Sequence, residues 1–118
     1  MCAEDDATYC PFFQHAIEVI GRRWTGTILR VLGDRELRFG EIRSSIPGLS
    51  DRLLDTRLTE LIAEDIAARV GPDNEPRYRV TAKGAALEPV FGSIADWASA
   101  HSDGEPHELP GRAAQGIT

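Results

Sequence analysis

The stretch 39–62, FGEIRSSIPGLSDRLLDTRLTELI, limits what this chain can fold into more than any other. Gly40 to Ile46 reads as a short helix with Ile42 and Ile46 one turn apart, and Pro47-Gly48 stops it. Ser50 is a good N-cap for a second helix, and Asp51 suits the first turn near the positive end of the helix dipole. Leu54, Leu58, Leu61 and Ile62 then form an apolar stripe, with Arg52, Thr56, Thr59 and Ala63 on the opposite side and Arg57 on the flank. Two helices joined by so short a corner make a helix-turn-helix candidate.

The flanking text extends this unit. Pro11 opens a helix bearing Phe12, Phe13, Ala16, Ile17 and Ile20, which ends at Gly21. A second helix carries Trp24, Ile28, Leu29 and Leu32 and ends at Gly33-Asp34. Leu37-Arg38-Phe39 reads as a short strand. Ile66–Val70 and Arg77–Val80 read as a hairpin about the turn formers of GPDNEP. Thr81 caps a last helix with Leu87, Val90, Phe91, Ile94, Trp97 and Ala98 on its dry face, and Pro89 is expected to bend it. The predicted fold is mainly α with a small β-hairpin: a winged helix-turn-helix over 10–100, with additional N- and C-terminal helices. Acidic residues 1–9 and polar residues 101–118 read as flexible tails.

The 118 residues suit one domain, and their net charge is -6. Much of that charge lies in the tails, through Glu4, Asp5 and Asp6 at one end and Asp103, Glu105 and Glu108 at the other. The middle is nearly neutral, so an acidic total does not exclude a basic face for nucleic acid. No window approaches the length of a membrane span, and the N-terminus lacks the apolar stretch of a signal peptide, so a cytoplasmic protein without membrane contact is expected. No Cys or His spacing indicates a metal site, and neither a catalytic constellation nor a cofactor is expected.

A helix that reads the major groove must present side chains to base edges. Arginine donates two hydrogen bonds to guanine, and the threonine methyl meets that of thymine. Arg52 and Thr56 fit that work, with Ser50 and Arg57 on phosphate or base edges. Asp51 and Asp55 oppose it, unless they hold Arg52 or accept from cytosine. The bland alternative is an ordinary amphipathic surface helix. The tight corner before it and the hairpin after it favour double-stranded DNA as the partner. In the hairpin, Arg77 and Arg79 share a face, suited to a wing on phosphate or to pairing with Asp73 and Glu75. Arg38 and Arg43 flank the first helix of the motif, where phosphate is also within reach.

Cys10 and Cys2 make a poor disulfide framework and are expected as thiols in a reducing compartment. Cys10 is expected at a helix N-cap, which favours a thiolate and suits an oxidation sensor. The apolar neighbours Phe12 and Phe13 support a small buried residue instead. Cys2 is a candidate resolving partner. His15 is off the face of Cys10, so a Cys–His catalytic pair is weakly supported.

Three segments together resemble a known family. "CPFFQHAIEVIGRRW", "LRFGEIRSSIPGLSDRLLDTRLTEL" and "YRVTAKGAAL" with Trp97 are similar to HxlR-type regulators in order and spacing, over about residues 10–98. The resemblance implies a homodimeric bacterial transcription factor, usually a repressor, with the first and last helices at the dimer interface. It puts Phe12, Phe13, Ile17, Ile20, Val90, Phe91, Ile94 and Trp97 between subunits or just beneath. Some family members sense oxidants or electrophiles such as quinones through the cysteine matching Cys10, which implies such a molecule as inducer. This sequence departs in a short wing, in Arg23 where lysine is commoner, and in Asp51 and Asp55. Two other classes remain open at this level: a thiol-redox protein using Cys10, and a winged-helix protein-interaction module.

Overall fold

The computed structural model describes residues 9–102, so most of the expected tails lie outside the described residues. The described elements run α1 (Pro11–Ile20), α2 (Thr25–Leu32), β1 (Leu37–Arg38), α3 (Phe39–Ser45), α4 (Asp51–Ala63), β2 (Ala67–Val70), β3 (Arg77–Val80), α5 (Ala82–Ala85) and α6 (Glu88–Ala100). The strands form one antiparallel sheet in the order β1-β3-β2. The expected hairpin therefore gains a third strand, with Leu37 opposite Tyr78 and Arg38 opposite Arg77. Phe39, expected to continue that strand, opens α3, because the Arg38 N–H donates to Glu41 Oε1 at 2.7 Å and starts the helix there.

α3 and α4 meet at the corner Ile46–Leu49. Gly48 takes a φ of 88°, the left-handed region that glycine enters without a Cβ clash. Leu49, which helical periodicity does not single out, is buried and seats the corner in the core. Ser50 caps α4 as expected, its Oγ accepting from Leu53 N at 3.1 Å. Leu54, Leu58 and Leu61 are buried beside Ile28 and Leu32 of α2, Ile42 of α3 and Tyr78 of β3. Each such leucine contributes roughly 1.5–3 kcal/mol as an upper bound, so the stripe is a large share of what holds α4 in place. Ile62, counted in that stripe from sequence, is 37% exposed, because it lies past the edge of the buried arc.

The expected single C-terminal helix is broken instead of bent. Thr81 caps α5, its Oγ1 accepting from Gly84 N, and α6 starts anew with Pro89 in its first turn, where a missing N–H costs nothing. Gly84 marks the closest approach, since a Cβ there would run into the Ile66 carbonyl oxygen and Val80 Cγ1. Gly84→Ala is expected to destabilise the fold by about 1–3 kcal/mol in chemical denaturation, the usual cost of overpacking.

Candidate nucleic-acid interface

The sequence-predicted DNA residues separate into two groups. Arg52 and Thr56 are exposed on the side of α4 away from the leucines. The Arg52 side chain makes no hydrogen bond or ion pair among the described residues, while Thr56 Oγ1 donates to the Arg52 carbonyl at 3.0 Å. Ser50 lies at the N-terminal end of the same helix, its hydroxyl engaged in the cap.

Arg57 belongs to the other group. Its side chain is only 16% exposed, its Nε donates to the Arg23 carbonyl at 2.8 Å, and its Nη1 reaches Glu60 at 3.2 Å. The guanidinium expected at DNA is thus engaged inside the chain, tying α4 to the α1–α2 loop. Its flank position in the helical projection was the one sequence signal of this. Asp51, expected to oppose phosphate or to hold Arg52, forms an ion pair with Arg43 of α3. That pair clamps the two helices across the corner and neutralises both charges.

The hairpin packs against α4 through β2. Arg77 and Arg79 are exposed and Tyr78 is buried, as strand alternation requires. Arg77 makes no side-chain hydrogen bond or ion pair among the described residues. Arg38 bridges the motif to the wing, with Nη1 2.8 Å from Glu75 Oε2. Glu75 therefore meets Arg38 and not the strand arginines that the sequence left as alternatives. The Arg38 backbone N–H holds the Glu41 carboxyl below the usual carboxylate range, aided by the Arg38 and Arg77 charges.

Cys10 caps α1 as expected, its Sγ accepting from Phe13 N at 3.4 Å. The expectation of a free thiol is overturned: Cys10 is disulfide-bonded, so its sulfur carries no titrating proton. The chain's other cysteine is Cys2, which lies outside the described residues. Among the described residues no cluster of His, Cys, Asp or Glu is arranged to hold a metal, and no helix is long and apolar enough to cross a membrane.

Residues 19–106 match the HxlR-like helix-turn-helix family. The chain belongs to that family. Among similar proteins, the Bacillus subtilis HTH-type transcriptional regulator YodB is 40% identical over 94 residues, covering 77% of this chain and 84% of YodB. The reduced form of YodB has a TM-score of 0.74 at 36% identity, over 84% of this chain and 100% of that one. The redox regulator HypR in its oxidized form has a TM-score of 0.70 at 30% identity, over 80% of this chain and 99% of that one. This HxlR-like chain is accordingly a helix-turn-helix transcriptional regulator, with α3 and α4 as its motif and the sheet as its wing.

Since folding lowers the Glu41 pKa, its stabilising contribution is complete above the ordinary carboxylate value and disappears as pH falls through the lower folded value. Acidification from neutral pH is therefore expected to lower the melting temperature more steeply in the native sequence than in Glu41→Gln. Equal slopes in a pH series of thermal melts would remove this carboxylate from the account.

Proposed function

We propose that the chain is a homodimeric, sequence-specific DNA-binding repressor that acts in the cytoplasm and responds to oxidants or electrophiles through Cys10. The observation that carries this reading is Arg52. It is a guanidinium with no partner of its own chain among the described residues, exposed one turn before Thr56 on a helix whose other side is packed leucine. A bidentate contact to guanine is the chemistry it is free to make. Ser50, at the helix start, lies where phosphate approaches, and Arg77 on the wing suits phosphate or the minor groove. Arg38 acts at one remove by holding the wing through Glu75.

Dimerisation is supported by apolar side chains that the single chain leaves uncovered. Phe12, Phe13 and Ile17 on α1 and Val90, Ile94 and Trp97 on α6 are all exposed, Trp97 by 66%. Phe91 is buried beneath, over Gly26 of α2. A soluble chain rarely leaves so many large apolar groups in water, and a second copy with two-fold symmetry covers them. Two such subunits would read a pseudo-palindromic operator.

The redox part rests on the Cys10 disulfide and on the likeness to YodB, a structure of which is quinone-bound, and to HypR. Turnover chemistry at Cys10 gains no support, because His15 is engaged by Glu64 and not by sulfur.

A selection of bound duplexes from random DNA, followed by titration, tests the proposal. Arg52→Ala is expected to weaken operator binding by about 1–3 kcal/mol and to relax one base position, while the native complex weakens steeply with salt. Undiminished affinity in Arg52→Ala sinks the base-reading assignment. Ile94→Glu is expected to sediment as a monomer and to lose operator affinity; a dimer unaffected by it places the interface elsewhere.

A further inference from the structure

α1 bears Cys10 at its start, yet only one of its residues, Val19, is buried. Apolar packing therefore does little to hold its first two turns against the body. A cleft of about 170 Å³ lies beside it, lined by Phe12, His15, Ala16, Val19, Glu64 and Leu87 among others. Polar contacts also cross from this segment to α4. His15 Nε2 lies 3.0 and 3.1 Å from the two carboxylate oxygens of Glu64, the C-cap residue of α4. Arg22, just past the end of α1, pairs with Glu60 at 3.6 Å, and the Glu60 carboxylate also holds Arg57, whose Nε fixes the Arg23 carbonyl.

Arg57, Glu60 and Glu64 recur at helical spacing, so they form one seam along α4. The seam lies between the buried leucines and the Arg52–Thr56 face. A shift of α1 that drags this seam therefore rotates or slides α4 relative to its groove. The hydrogen bond from His15 holds the Glu64 carboxyl below its ordinary range, as expected of a carboxylate charged in this contact. The Glu64 carbonyl also accepts from Lys83 Nζ at 2.7 Å, which keeps the end of α4 anchored to α5 when the carboxylate contact is lost.

We propose that this seam, with His15–Glu64 as its outer contact, is the positioning device that passes the set of α1 on to the DNA-reading face of α4. The proposal rests on the reading of a redox-responsive DNA-binding regulator. It names the route by which the state of Cys10 reaches Arg52. Opening the Cys10 disulfide with a dithiol delivers two electrons and two protons to give two thiols, while the dithiol becomes the cyclic disulfide. The constraint on the start of α1 then changes, and the seam transmits the change. His15 and Glu64 are positioning residues only; neither is assigned a contact with DNA.

The test uses the full chain in its disulfide-bonded and dithiothreitol-reduced forms, titrated with the selected operator duplex. The native protein is expected to show affinities differing between the two forms by about 5- to 150-fold, the usual range of such coupling. In His15→Ala and Glu64→Ala that ratio is expected to fall toward one, while the reduced-form affinity stays as in the native protein. The double variant is expected to fall no further than either single one, because both remove the same contact. Hydrogen exchange provides the second readout. A redox difference in α1 should persist in the variants but no longer reach residues 50–57. His15 is exposed, so His15→Ala keeps the test usable where Glu64→Ala fails to fold. Variants that retain the native ratio overturn the proposal and leave the redox reading intact. Native protein whose two redox forms bind equally overturns the redox reading and the proposal with it, and native protein that binds no operator removes the DNA-binding reading as well.

Discussion

The packing of Leu54, Leu58 and Leu61 against α2 and α3 is the constraint on which the other features depend. It fixes the rotation of α4 about its own axis and so decides which residues can meet a partner. Once those three leucines are inside, Arg52 and Thr56 have to face out, and Arg57, Glu60 and Glu64 have to lie along the seam. The corner at Gly48 and Leu49 sets the other degree of freedom, the angle at which α4 leaves α3. The Arg43–Asp51 pair closes the corner from the solvent side.

Charge in this chain is sorted by position more than by sum. Arg38, Arg43 and Arg57 are each matched to a carboxylate, Glu75, Asp51 and Glu60, and each pair joins two elements or steadies one. The two exposed pairs, Arg38–Glu75 and Arg43–Asp51, contribute little energy individually, about 0–1 kcal/mol, but they fix relative orientation. Arg52 and Arg77 are left over from that matching. An acidic protein can therefore still offer cationic groups in a particular place, and the net charge of -6 says little about the partner that place suits.

The two terminal helices have a different logic. A chain of this size has limited interior, and the interior is filled by α2, α3, α4 and the sheet. α1 contributes Val19 and part of Ile20 to it and α6 contributes Phe91, while Phe12, Phe13, Ile17, Val90, Ile94 and Trp97 stay exposed. That is poor design for a solitary chain and sensible for one that pairs. It also leaves α1 and the loop after it joined to α4 by the polar contacts His15–Glu64 and Arg22–Glu60 beside the packing of Val19.

Short-range chemistry along the chain was sufficient for the local structure. Caps at Cys10, Ser50 and Thr81, the stop at Pro47-Gly48, the leucine period of α4 and the alternation of Arg77–Val80 are short-range features, set by hydrogen bonding and side-chain direction within a few residues. They were enough for the winged helix-turn-helix order and for the outward set of Arg52, Thr56 and Arg77. Contacts between distant segments settled the remaining features. Arg57 turned inward because the Arg23 carbonyl, distant along the chain, came within its reach. β1 joined the sheet because β3 offered it an unpaired edge. The His15–Glu64 contact joins residues 49 positions apart, and no periodicity marks such a pair. Local rules act through the backbone between neighbours, whereas these contacts exist only after the core has brought separate segments together.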